Sequence, residues 1–276
     1  MRIYRWLGAA LFLALASCSA RESQPSLTAR PAASVFGVEV YATASTSSGT
    51  IRHVAVILAQ YLDNDEDGEP DDPAVVRALR DENAAMVLFH DEDEMGRADP
   101  GTLLPPGTEL ESLQAQWETE THPGGAARGV FDATLEEVLH LVTHVGYANA
   151  YPETFGERPG SAIAEAMDLA RGGHFEDIPD RYPADAWYTY DDETCDYGCQ
   201  IAEYLYWALT SLLGGQSFPG RADEIRHEWR LATPDDVRRG DPAIVAVLED
   251  PRFRVPTRLP DGSYNGPEGT IRYEPR

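Results

Sequence analysis

Apolar positions along the chain fall into periodic runs separated by polar, turn-forming stretches. Residues 51–62 carry apolar side chains at helical spacing and run into an acidic loop at 63–72. Pro73 suits the first turn of a second helix, which the pattern carries to Glu82. Residues 84–89 form a short unbroken apolar run and read as a buried strand, and residues 35–41 alternate as a strand does. Residues 100–107 are rich in turn formers, and 110–117 read as helical. The clearest helix is the two-faced run 133–148, with Asp132 placed to cap it. A further helix covers 161–170 and stops at Gly172-Gly173. Residues 200–213, with Tyr204, Tyr206 and Trp207, read as a core helix ending at Gly214-Gly215. From Pro251 onward, Pro and Gly are frequent, and this tail is expected to wrap the surface. The pattern predicts one globular domain over 35–276, mainly helical with a few short strands, α+β in class.

The N-terminus has a different character. Arg2 and Arg5 precede an almost wholly apolar stretch at 6–16. That stretch is shorter than the ~20 apolar residues a membrane-spanning helix needs, and it fits the core of a signal peptide. It ends in Leu15-Ala16-Ser17-Cys18, which resembles the lipobox of bacterial lipoproteins. The resemblance implies a signal peptide over 1–17, cleavage before Cys18, and a lipid on Cys18 that holds the protein to an envelope membrane. Ser19 stands where the inner-membrane retention signal of some bacteria places Asp, so the outer membrane is the favoured address. The rest of 18–34 mixes Ser, Pro, Ala, Arg and Gln without period, as a flexible tether does.

Apolar content, 42%, is ordinary for a globular protein, but the charge is not. Forty-seven acidic residues face 22 basic ones, all arginine, for a formal net charge of −25. Such a surface repels nucleic acid and anionic lipid headgroups, which excludes both as partners of the folded part. It also attracts divalent cations, although solubility in salty surroundings explains the excess equally well. With Cys18 taken by lipid, Cys195 and Cys199 remain. An oxidising compartment favours a disulfide between them. The Asp-Tyr-Gly turn can bring their Cα atoms within the required span of about 4.4–6.8 Å.

Two constellations carry metal chemistry. Asp63, Asp65, Asp67, Glu69 and Asp71 line the acidic loop at alternate positions, with Gly68 permitting a sharp turn. Hard oxygen ligands in that array suit Ca²⁺. The order D-x-D-x-D-G-x-x-D resembles the calcium loops of EF-hands, dockerins and thrombospondin-type repeats. Ala74 stands where an EF-hand has its bidentate Glu, so Asp72 or a distant residue would have to complete the shell.

The second constellation lies on the two-faced helix. At about 100° per residue, Glu136, Glu137, His140, His144 and Tyr147 share one arc of roughly 100°, with the apolar residues opposite. Two imidazoles and two carboxylates at i, i+4 spacing make a face suited to a first-row metal. Glu136-Glu137-x-x-His140 resembles the H-E-x-x-H helix of zincin metallopeptidases, with Glu in place of the first His. The resemblance implies Glu136 and His140 as zinc ligands and Glu137 as the general base. Ala164-Glu165-Ala166-Met167-Asp168 resembles the helix supplying the third ligand in thermolysin-like enzymes, which would make that ligand Glu165. A second register pairs His140 with His144 and leaves Glu137 as the base. Glu203, an acid in apolar company, is a further ligand candidate, because its burial would be costly without a partner. Tyr147 and His174 are candidates for steadying an oxyanion.

These residues point to a zinc-dependent, calcium-stabilised hydrolase of peptidase type on the cell envelope, acting on a peptide or protein. Two alternatives stay open: a non-catalytic metal-binding surface lipoprotein, and a calcium-braced adhesion or recognition module.

Overall fold

The computed structural model describes residues 27–107 and 112–275. The expected signal peptide, Cys18 and most of the tether therefore lie outside the described residues. Five strands form one sheet: β1 (Arg30–Val35), β2 (Val38–Ala42), β3 (Ala85–Phe89), β4 (Leu113–Trp117) and β5 (Ile271–Tyr273). Their order is β4-β3-β2-β1-β5; β2, β3 and β4 run parallel, while β1 pairs antiparallel with both β2 and β5. The helices in chain order are α1 (Ser48–Leu62), α2 (Pro73–Asp81), α3 (Glu92–Gly96), α4 (Pro100–Leu103), α5 (Thr134–Leu141), α6 (Ala148–Ala150), α7 (Pro152–Phe155), α8 (Ala162–Arg171), α9 (Tyr197–Leu212), α10 (Arg221–Glu224), α11 (Pro234–Gly240) and α12 (Pro242–Leu248). The chain is mainly helical α+β, as the pattern predicts.

Local chemistry sets the helix starts. Ser47, Asp72, Ser161 and Asp196 each accept a backbone N–H in the first turn of α1, α2, α8 and α9, and Pro73 occupies the first position of α2. The main core joins β1 and β2 to α1, α5, α8 and α9, through Val40, Val54, Leu58, Leu139, Val142, Ile163 and Tyr204 among others. Strand β3 is buried on both faces. Met86 and Leu88 enter that main core, while Val87 and Phe89 pack with Met95, Leu103 and Trp117 in a smaller cluster on the other side. Helix α5 lies against α1, α9 and β4, and Glu136, Glu137 and His140 of its polar arc are buried.

The structure departs from the sequence pattern at four places. The alternating run 35–41 is the second half of a hairpin: Val35 pairs with Val38 across Phe36 and Gly37, both at positive φ (50° and 84°). Strand β1 accordingly begins at Arg30, inside the segment expected to be tether. Leu113–Trp117 is strand, not helix; Leu113, Ala115 and Trp117 alternate with two glutamines, a period of two that fits its parallel pairing to β3. The fourth departure is in the two-histidine helix. After Leu141 its winding widens to a π-helical segment, Val142–Tyr147, before α6. Ala133 takes the N-cap position, and Asp132 instead accepts the N–H groups of Thr134 and His122 while pairing with His53 at 2.6 Å.

Candidate metal centre

Glu136 and His140 lie one turn apart on α5, and Glu203 reaches them from α9. One ligand atom from each of these three residues lies within 4.8 Å of the other two. All three are buried, at 4%, 5% and 3% exposure. Helix α9 accounts for the burial of Glu203: every residue in it except Gly198 is buried. Its carboxylate is therefore confined to the α5–α9 interface, where the only imidazole among the three residues is that of His140.

That imidazole is incompletely satisfied. Glu203 Oε1 is 3.5 Å from His140 Nε2, too far for a good hydrogen bond, and Nε2 has no hydrogen-bond partner. The Tyr206 ring packs 5.7 Å from the imidazole, centroid to centroid, so the neighbouring surface is aromatic. The amide of Gln114 on β4 donates to the Glu137 carboxylate at 2.6 Å.

The charges in this pocket strain against one another. Burial pushes Glu136 well above the usual carboxylate range, and the charges of Glu137 and Glu203 add to the effect. Burial likewise raises Glu137, to about 7, although His140 and the Gln114 hydrogen bond oppose it. For His140, burial favours the neutral ring, but the charges of Glu203, Glu137 and Glu136 outweigh it and lift the imidazole to about 9. Three carboxylates buried around one imidazole are expensive without a further positive charge. Two carboxylate oxygens and one imidazole nitrogen suit zinc and neighbouring first-row ions, and three protein ligands leave a position open for water.

The structure brings together only part of the expected set. Glu136, His140 and Glu203 converge, whereas Glu165, the third ligand of the first register, is not among them. His144 does not join them. Its Nδ1 pairs instead with Glu157 at 2.6 Å beside a different cavity. Gly146 seats this segment against α2: a Cβ there would stand 2.7 Å from Val75 Cγ1. Tyr147 is buried with Tyr151 and Phe155, and its hydroxyl donates to the Arg254 carbonyl. Glu165 is exposed on the outer face of α8, because the buried face of that helix carries Ile163, Ala164, Ala166, Met167 and Ala170. His174 is also exposed and pairs with Asp168 at 2.8 Å. Gln114, which orients Glu137, escapes a sequence reading that takes its segment for helix; the alternation of 113–117 is the signal that would reveal it.

In the acidic loop, Asp63, Asp65 and Asp67 offer ligand atoms within 4.8 Å of one another. The rest of the expected set is placed otherwise. Glu69 is exposed and outside the cluster, Asp71 accepts the Asn64 N–H at 2.6 Å, and Asp72 caps α2 and accepts the Tyr151 hydroxyl. Asp63 is fully buried and takes the N–H groups of Asp67 and Gly68 and the Tyr264 hydroxyl. The C-terminal tail is laced to this loop: Asn64 accepts from the Thr257 and Arg258 N–H groups and donates to the Arg258 carbonyl, and Gln60 bonds Asp261 and Gly262. Cys195 and Cys199 form the expected disulfide, with Cα atoms 5.3 Å apart at the start of α9.

No family model matches the chain, and no characterised protein or solved structure is significantly similar to it. Among the described residues, no helix is long and apolar enough to cross a membrane.

Proposed function

We propose that this protein is a metal-dependent hydrolase of peptidase type, with Glu136, His140 and Glu203 holding a zinc ion. The observation that carries the reading is the convergence of these three side chains, with His140 Nε2 left without a hydrogen bond. A zinc ion held there supplies Lewis acidity to water and to a carbonyl oxygen. Glu137, oriented by Gln114, takes the proton of the water that adds to the scissile carbonyl carbon. As the C–N bond breaks, the same carboxylic acid returns that proton to the leaving nitrogen. Glu137→Gln should keep the metal while turnover of a peptide library falls by about 10²-fold or more; full activity in that variant would remove Glu137 from the role.

A second reading, a metal-holding protein without catalysis, is favoured by the burial of all three ligand candidates. It predicts bound zinc and no cleavage of any peptide in the library. In either case we infer that a lipid on Cys18 anchors the chain at the envelope, with the outer membrane favoured, and that calcium binds Asp63, Asp65 and Asp67. Cys18→Ser should move the protein from the membrane fraction to the soluble fraction; retention in the membrane fraction would contradict the anchor.

A further inference from the structure

Beside the three candidate ligands, hydrogen-bond donors come together without an acceptor. Trp207 on α9 is 6% exposed, and its Nε1 is buried with no hydrogen-bond partner. The adjacent Tyr206 hydroxyl takes a Gln216 amide N–H at 3.1 Å, and nothing among the described residues accepts its own hydrogen. Arg221 donates through Nε to Gln216 Oε1 at 2.7 Å and through Nη1 to Glu224 at 2.9 Å, which leaves Nη2 without a partner among the described residues. Arginine can only donate, so its bond fixes the Gln216 amide with the NH₂ group toward Tyr206 and Thr210. The phenolic oxygen is thereby committed as an acceptor, and its hydrogen must be given elsewhere.

The three donors are neighbours. The Tyr206 and Trp207 rings stand 4.7 Å apart, and the Arg221 guanidinium carbon lies 5.6 Å from the Trp207 ring centroid and 4.4 Å from that of Phe131. Rings cover the guanidinium faces, so what it still offers is N–H in its own plane. Arg221 lies just under the surface, buried between exposed Gly220 and Ala222. Tyr206 also packs 5.7 Å from the His140 ring, which sets the donors on one side of the proposed metal centre. Buried donors left unmet are costly, and a carboxylate, with two oxygens and only lone pairs to offer, satisfies them together. On a chain of net charge −25 an anion gains nothing from the general field, so only such a local set of donors can hold one. We propose that Arg221, Trp207 and Tyr206 form a carboxylate site, and that it takes the free C-terminal carboxylate of a peptide whose last bond meets the metal centre. The cleavage rests on the hydrolase reading, but the preference for a carboxylate is measurable without turnover.

The test is calorimetric binding of N-acetyl-trialanine, as the free acid and as the C-terminal amide, to the chelator-treated chain. The expected result is an acid bound about tenfold more tightly than the amide, with the preference falling to about twofold or less in Arg221→Gln. Trp207→Phe, which keeps the ring and removes only the N–H donor, should reduce the preference as well, and it carries the test should Arg221→Gln fold poorly. Arg226→Gln removes an exposed arginine paired with Asp223 and should leave the preference intact, which separates the site from overall charge. Equal binding of acid and amide would leave the donors to water and overturn the proposal, as would a preference unchanged in Trp207→Phe and Arg221→Gln. Acetate bound as tightly as the peptide acid would overturn the peptide as occupant. An acid preference that behaves as expected, with no alanine released by the zinc-loaded chain, would overturn the hydrolase reading alone. Alanine release with equal binding of acid and amide would overturn this site alone.

Discussion

His140 is the residue on which the proposed metal centre turns, because its Nε2 is buried among carboxylates with no hydrogen-bond partner. Its candidacy was legible in the sequence, since both registers of the two-histidine helix require it. Glu203 was legible only as an acid in an apolar helix, and only the packing of α9 on α5 makes it a partner of Glu136. Glu165 had the better motif, yet it lies on the exposed face of its own helix, which a motif cannot reveal. A second buried imidazole, His53, shows what a satisfied pair looks like. Asp132 accepts from it at 2.6 Å and also takes two backbone N–H groups. Burial alone would raise Asp132, but these hydrogen bonds and the His53 charge hold it below the ordinary 3.8. A depressed carboxylate contributes stability that is present above the unfolded pKa and lost as pH falls through the folded one. Asp132→Ala should therefore cost about 3–5 kcal/mol at neutral pH, and its deficit relative to wild type should shrink below about pH 4. Urea unfolding of both chains across that range checks this; a deficit independent of pH would contradict it.

At the scale of elements, the helices were mostly readable because their periodicity and caps are local. The strands were less so. The Phe36–Gly37 turn hides inside an alternating run, and 113–117 shows a period of two too brief to outweigh neighbouring helical spacing. The π-helical winding after Leu141 left no signal in the sequence reading; within it His144 pairs with Glu157, and Tyr147 is buried against Tyr151 and Phe155. The acidic loop was readable as a turn of carboxylates, but its bracing by the tail is a long-range feature. If calcium binds Asp63, Asp65 and Asp67, it bridges an element pinned by Asn64, Gln60 and Tyr264, so the ion should stabilise the fold as a whole. At a calcium concentration near 100 times Kd the gain is about 2.7 kcal/mol, several degrees in Tm. Thermal unfolding should show that rise in the wild type and none in Asp65→Asn/Asp67→Asn; equal melting of the wild type with and without calcium would remove the ion from the account.

At the scale of the molecule, one sheet and the helices packed on it place a buried acidic cluster at the α5–α9 interface. A net charge of −25 makes cations the natural ligands of such a chain, but composition says nothing about where they bind. Position comes from burial, which sets Glu136, His140 and Glu203 together at one place in the interior, and a zinc ion there is the proposal. The most direct test is elemental analysis of the chain purified without chelator or affinity metal, in wild type, Glu203→Gln and Glu165→Gln. The account predicts about one equivalent of zinc in wild type and Glu165→Gln, and little in Glu203→Gln. Zinc retained in Glu203→Gln, or no first-row metal in the wild type, would contradict it.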